Sequence, residues 1–359
     1  MGPPPEPVST ATPSGEPLRP RSRRPRNDQR PRLLAAPDKF KGTASADEIA
    51  GAVCRAAEAA GWNAESLPLA DGGEGTLDAL GGANRRTVVT NPLGDPVEAG
   101  WRLDGGTAVI EMAQASGLQL VGGAAGNDAL AASTYGTGEL IEAALERGAR
   151  RIIVCVGGSA TTDGGFGALR ALLPGHRLRG VELVVACDVR TRFCDAAEVF
   201  GPQKGATPAE VKLLRRRLER LANLYDAEHG VHVADLPGGG AAGGLAGGLA
   251  ALGASLVEGF EVVAEETRLA ERLEEADLVV TGEGLLDAES FHGKVVGGVC
   301  ELAQRLGVPA VAVAGNVDSD AAALATVPML SLSERFGPDR AFAEPAACVE
   351  QLLAEHLSG

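Results

Sequence analysis

Residues Ile152 to Leu173 read IIVCVGGSATTDGGFGALRALL: an apolar run breaks into glycines, and apolar residues then return at helical spacing. Ile152-Ile153-Val154-Cys155-Val156 has no polar face, which suits a strand buried on both sides in a parallel sheet. Phe166, Leu169, Leu172 and Leu173 lie three or four positions apart and mark a helix. The glycines between them let the backbone turn a tight corner, and the free N–H groups at a helix start attract anions. A strand, glycine turn and helix in this order favour an α/β architecture. Ser159, Thr161, Thr162 and Asp163 give the turn hydroxyls and one carboxylate, a mixture that suits phosphate with a metal. Asp163 as a plain helix cap is the competing reading. The turn is not a Walker loop, which needs Gly-Lys-Ser/Thr.

The same grammar recurs along the chain. A strand over Leu33 to Pro37 leads into Asp38-Lys39-Phe40-Lys41-Gly42-Thr43, and Ser45-Ala46-Asp47-Glu48 then fits a capping box that opens a helix to about Ala60. Asp38 and Lys41 thus stand at a strand's carboxyl end, where open α/β sheets bind ligands. A strand over Ala64 to Leu69 ends in Asp71-Gly72-Gly73-Glu74-Gly75-Thr76. Strand-like alternation over Gly81 to Leu103 follows, folded about Asn91 to Asp95, and Val109-Ile110-Glu111-Met112 reads as a further strand. Residues 128–148 read as an amphipathic helix region with Thr134 to Gly138 near its cap. Val181 to Cys187 is a strand ending at Asp188.

Beyond Phe200 to Ala206, which holds Lys204, Thr207-Pro208-Ala209-Glu210 starts a helix to about Tyr225. Its Arg215, Arg216 and Arg217 read as a solvated face rather than an anion site. Gly238 to Gly248 reads as a helix whose glycines permit close packing or ligand approach, not as a linker, and Leu269 to Ala276 as another helix. Asp277 to Thr281 is a strand whose end carries Gly282-Glu283-Gly284 and Asp287. His292-Gly293-Lys294 leads into a helix over Val295 to Leu306, and Val308 to Gly315 is the last core strand before a further βα pair.

The switch to a hairpin pattern near Asp71 and the return near Asp277 divide the chain. A Rossmann/flavodoxin-like parallel sheet is expected from both chain ends, residues 33–70 and 277–359. An inserted α/β domain is expected over 71–276, with the active site in the cleft between the two. Residues 1–32 are rich in proline and arginine and poor in large apolar side chains; they read as a disordered tail without the apolar core of a signal peptide.

A formal net charge of −15 argues against nucleic acid as the partner. No apolar stretch reaches the roughly 18 residues of a membrane span. Six scattered cysteines without a CxxC pair point to reduced thiols and a cytoplasmic enzyme. A small-molecule substrate is the expected partner, and a homodimer is left open. Acyl hydrolysis is poorly supported, because no nucleophilic Ser or Cys stands in a familiar context. Hydride transfer lacks a clean glycine fingerprint after the first strand. Phosphoryl transfer matches the residue classes: lysines for phosphate oxygens, carboxylates for Mg2+, and one carboxylate as proton acceptor.

Six blocks together resemble the type I glycerate kinase family over about Leu33 to Leu353. They are Pro37 to Gly42, Ala70 to Thr76, Gly157 to Gly165, Val199 to Ala206, Gly240 to Gly244, and Gly282 to Gly284 with Asp287 and His292 to Lys294. The resemblance implies ATP-dependent phosphorylation of D-glycerate with Mg2+. The product expected is 2-phosphoglycerate rather than 3-phosphoglycerate, a choice the residues themselves do not dictate. Asp188, Asp287, Lys41 and Lys204 are the catalytic candidates, and the residues do not choose between Asp188 and Asp287 as proton acceptor. Gly158, Ser159, Gly243, Gly244, Gly282, His292 and Lys294 are the candidates for nucleotide; Asp38, Asp71 and Glu74 for substrate; Asp163 and Glu283 for the metal. Val189 to Cys194 stands where the family tends to carry Asn-Pro-Leu and a glycine turn. That difference motivates one alternative, a kinase for another small hydroxy acid; a non-catalytic ligand-binding regulatory paralogue is the other, and the retention of every acidic and basic block residue argues against it. Arg190 or Arg192 in the loop offers a bidentate partner for a carboxylate, against the plainer reading of a surface loop.

Overall fold

The computed structural model describes residues 30–173, 178–291, 293–324 and 326–357. Most of the expected tail, and His292, lie outside these residues. Eleven strands are found, β1 (Arg32–Ala35), β2 (Asn63–Ser66), β3 (Arg85–Thr90), β4 (Pro96–Asp104), β5 (Thr107–Glu111), β6 (Arg151–Cys155), β7 (Glu182–Ala186), β8 (Ser255–Val257), β9 (Leu278–Leu286), β10 (Ala310–Val317) and β11 (Met329–Ser331). The chain separates into two compact units. One holds the described residues up to Pro68, those from Ala270 to Phe291 and those from Val296 onward; the other holds Leu69–Leu269 and Gly293–Val295.

The first unit is built on a parallel sheet in the order β11-β10-β9-β1-β2. Its central strands β1, β9 and β10 carry apolar runs because helices cover both faces, whereas the edge strand β2 is polar. On one face Leu33, Ala35, Val280, Val311 and Val313 pack with Ile49, Val53 and Leu353. On the other, Ala312 and Ala314 pack with Val296 and Cys300. The helix Ala46–Ala59 starts with the expected capping box, Ser45 and Glu48 each holding the other's backbone N–H. The chain runs outward from β1 to β2 and resumes on the other side of β1 with β9. The carboxyl ends of β1 and β9 therefore mark the point where strand order reverses.

The second unit carries a mixed sheet in the order β3-β4-β5-β6-β7-β8. The expected hairpin forms β3 and β4, which are antiparallel, as are β4 and β5; β5 to β8 run parallel. Ile110, Ile152, Val154 and Val185 face a helix layer containing Leu140, Ile141, Leu245 and Leu249. Val109, Ile153, Cys155 and Val184 face Leu77 and Val262. The parallel strands deliver their carboxyl ends to one edge, so the turns after β6 and β7 and the residue after β8 gather there.

Three local expectations need correction. Gly282-Glu283-Gly284 does not follow its strand but lies within β9. A Cβ at Gly282 would run into the carbonyl of Val313 on β10, so tight strand packing requires glycine there. The Gly238–Gly248 stretch is not uniformly helical: Ala242, Gly243 and Gly244 all take left-handed angles before the helix settles at Leu245. Finally, β8 escaped the sequence reading altogether. Among the described residues no helix is long and apolar enough to cross a membrane.

The left-handed corner has a purpose. Gly243 accepts a hydrogen bond from the Gly164 N–H (3.0 Å), and a Cβ on Gly243 would strike the Thr161 carbonyl. The two glycine turns are thus locked backbone to backbone, which accounts for Gly243 and Gly244 without a ligand. Gly243→Ala is expected to lose about 3 kcal/mol or more of stability, the sum of an overpacked contact and a left-handed alanine. A urea melt of the two proteins measures it.

Candidate active site

Asp188 follows β7 and opens to solvent at the carboxyl edge of the second unit's sheet. Its Oδ1 accepts the Gly259 N–H at 2.9 Å. Partial desolvation of the carboxyl by the turns packed around it and the negative charge of Asp71 push its pKa up to about 7; Glu258 adds to the rise, while the Gly259 N–H and the Lys294 ammonium oppose it. A carboxylate in that range is matched to proton transfer near neutrality. Gly259 is required at this point because a side chain there would collide with the Asp71 carbonyl.

Asp71 opens its own turn, with Oδ1 accepting the Gly73 N–H at 3.2 Å. The turn is held from below by Glu111, a residue the sequence reading passed over. Its Oε1 accepts the N–H groups of Gly75 (2.9 Å) and Leu77 (2.8 Å), and burial raises its pKa. A lone carboxylate in the apolar run Val109 to Met112 was the available signal, since an isolated charge is seldom buried without a specific partner. Glu74 itself points outward and is exposed.

Lys204 is 2% exposed. Its Nζ donates to Ser159 Oγ (2.7 Å) and to the Thr161 carbonyl (2.6 Å). Desolvation lowers its pKa to about 7, with the charge of Asp163 opposing. Asn127 ties the same loop together, donating from Nδ2 to the carbonyls of Ala160 (3.0 Å) and Lys204 (2.9 Å). The buried Asn127 Oδ1 and Thr161 Oγ1 find no partner among the described residues. Nothing in the sequence distinguishes Asn127, which lies in a glycine-rich loop far from the motif it holds. Gly158 precedes Ser159 with a left-handed backbone and is exposed.

Asp163 is committed elsewhere. Oδ2 accepts the Thr134 N–H (2.9 Å), the Thr134 hydroxyl (2.8 Å) and the Gly167 N–H (3.1 Å), while Oδ1 accepts the Gly165 N–H (3.1 Å). It caps two helix starts at once, so the metal role expected of it does not fit. Among the described residues no group of three or more His, Cys, Asp or Glu side chains forms a metal site.

In the first unit, Asp38 is buried and accepts its neighbour Lys39's N–H (2.7 Å), while its own N–H donates to the Gly282 carbonyl (2.8 Å). The turn it opens lies beside β9. A cavity of about 440 Å3 sits at the carboxyl ends of β9 and β10, lined by Phe40, Lys41, Leu285, Asn316, Ser333 and Phe342. Glu283 lies half-buried in β9. Asp287 Oδ1 accepts the Ser290 N–H (3.0 Å) and lies 3.1 Å from its hydroxyl, the arrangement of a cap on the short helical turn Ala288–Phe291. Arg190 pairs with Glu258 at 3.1 Å and stays exposed, and Arg192 stands 3.7 Å from Asp235. Both belong to a surface loop.

The model of the glycerate kinase family matches residues 33–175 and 173–356. Glycerate 2-kinase of Escherichia coli K12 is 40% identical over 329 residues, covering 80% of this chain and 86% of its own. Glycerate kinase of Bacillus subtilis 168 is 41% identical over 333 residues, covering 82% and 87%. A crystal structure assigned to glycerate kinase 2 of Salmonella typhimurium LT2 superposes with a TM-score of 0.78 at 36% identity, over 91% of this chain and 98% of that one.

Proposed function

The chain belongs to the glycerate kinase family, and on that premise we propose that it transfers the γ-phosphoryl group of ATP to O2 of D-glycerate, giving 2-phosphoglycerate. The observation that carries the mechanism is the placement of the Asp188 carboxylate after β7, fixed by the Gly259 N–H and facing the charge of Asp71, which with desolvation raises its pKa toward neutrality. Asp188 accepts the proton of the acceptor hydroxyl as the new P–O bond forms. Lys294, whose charge is felt at Asp188, keeps the ionised form accessible and meets the anionic reactants. Asp287, engaged as a cap, is the poorer choice of base. Asp71 is the proposed acceptor-side neighbour of Asp188, and Glu74 flanks it.

Lys204 acts from beneath. Its ammonium pins Ser159 and Thr161, and so fixes the turn whose Gly158 and Ser159 N–H groups are proposed to meet phosphate oxygens. In the first unit, Lys41 at the rim of the 440 Å3 cavity is proposed to hold the nucleotide's phosphates, with Asp38 shaping that turn. The position at a strand-order reversal supports this reading. Magnesium, when carried in on the nucleotide, would spread the charge of the phosphates and needs only one or two protein carboxylates; Glu283 is the proposed one.

The O2 assignment draws on the name of the E. coli relative, glycerate 2-kinase. A coupled ADP-release assay with D-glycerate and a panel of small hydroxy acids tests the activity, with D-glycerate expected to show the highest kcat/KM. The 31P NMR spectrum of the product is expected to show phosphorus coupled to the single proton on C2. Coupling to the two C3 protons would overturn the regiochemistry while leaving the kinase intact.

A further inference from the structure

The turn that Lys204 pins also borders a separate cavity of about 480 Å3, which neither Asp71, Asp188 nor Lys204 lines. Three arginines line it, on a chain of net charge −15: Arg170 from the helix Phe166–Ala171, and Arg217 and Arg220 from the helix Pro208–His229. Arg217 and Arg220, three positions apart, share one face of their helix.

Their neighbour Arg215 shows what an ordinary surface arginine does here. It points away and is paired with Asp195, Glu198 and Glu219. No carboxylate among the described residues pairs with Arg170, Arg217 or Arg220; Arg217 donates to the Leu130 carbonyl at 2.8 Å, which holds it at the cavity. The expectation of one solvated face for Arg215 to Arg217 therefore divides between two environments.

Thr162 is 1% exposed and its hydroxyl oxygen is sealed inside the wall, so the arginines are the polar groups that a ligand in the cavity would meet. Asp163, the one carboxylate in the lining, has both oxygens engaged by the four donors described above. The remaining wall is apolar, with Leu130, Leu221 and the half-exposed ring of Phe166.

We propose that this cavity is a binding site for an organic phosphate. The guanidinium groups pair with the phosphate oxygens, which their planar fork matches bidentately. Phe166 with Leu221 covers the carbon portion. The site is independent of the phosphoryl transfer assigned to Asp188.

Equilibrium dialysis of the full-length protein against ATP, 2-phosphoglycerate and inorganic phosphate, each alone, tests it. In Arg217→Ala/Arg220→Ala, at least one probe is expected to lose a bound equivalent or to bind about tenfold or more weaker, the scale of lost charge-assisted hydrogen bonds. Arg215→Ala is expected to bind as wild type. Arg170→Ala, on the shorter helix Phe166–Ala171, is expected to weaken the same probe. The probe affected identifies the carrier: ATP a nucleotide, phosphoglycerate a small acid phosphate, and all three the phosphate group itself. Identical isotherms for wild type and Arg217→Ala/Arg220→Ala with every probe, or an equal loss in Arg215→Ala, would overturn the proposal. So would unaltered binding in Arg170→Ala should the arginine pair prove too unstable to assay.

Discussion

Asp188→Asn is expected to lower kcat about 10²- to 10⁴-fold with little change in KM, the range for removing a general base. In wild type, kcat/KM should rise with pH and level off above about 7, as the carboxyl raised to about 7 by partial desolvation and Asp71 gives up its proton. The variant should lack that limb. Stability supplies an independent check. The folded carboxyl keeps its proton up to about pH 7, whereas the unfolded chain releases it near 3.8. Wild type should therefore lose stability as pH rises from about 4 to 7, and carry the whole penalty above 7. Asp188→Asn removes the penalty, so its Tm should exceed that of wild type at pH 8 and match it at pH 4. Asp287→Asn preserves a competent cap and should leave kcat within about threefold. A large loss there with an active Asp188→Asn enzyme would reverse the assignment.

Lys204→Met is expected to lower kcat/KM about 10²-fold or more. It strips the donors from Ser159 Oγ and the Thr161 carbonyl and removes a positive charge from beneath the proposed phosphate turn. Its stability should move differently. Desolvation has lowered the ammonium's pKa from 10.5 to about 7, so between pH 7 and about 10 the unfolded chain binds a proton the folded chain has shed. Wild type should gain stability from this group as pH rises through that window, with the cost of burying the charge complete below pH 7. Lys204→Met should lack that gain, read as the difference between the two proteins' urea midpoints at pH 7 and pH 9.5. A variant with full activity, or one whose midpoint difference does not change with pH, would remove Lys204 from this role.

The α/β class was legible because strand segments covered on both faces must be apolar, as Leu33–Ala35, Ile152–Cys155, Leu183–Ala186, Leu278–Val280 and Ala310–Ala314 are. Strand β8 was not, since Ser255–Val257 is three residues long and only partly buried. The left-handed corner at Ala242 to Gly244 was read as helix because glycine spacing cannot show which backbone presses against which. Asp188 was visible as a carboxylate at a strand's end. Its preference over Asp287 was not, since that depends on Asp71 approaching from another turn and on Ser290 occupying Asp287. A lysine in a sequence reads as solvated by default, so the burial of Lys204 belongs entirely to the tertiary structure. Asp163 offered two readings from the start, and the donors from Thr134, Gly165 and Gly167 decide for the cap.

Strand β1 lies between β2 and β9, and Leu33 pairs with Leu278 while β2 follows β1 closely in the chain. During synthesis at roughly 5–20 residues per second, the amino-terminal strands leave the ribosome long before β9 exists to flank them. The second unit's sheet, complete once β8 has emerged, has every strand it requires by then. The enzyme is therefore expected to mature from its middle outward, with the apolar β1, flanked only by β2, waiting half-partnered for the carboxyl-terminal third to arrive. That interval is when a chaperone that shields nascent apolar strands would matter most to its yield.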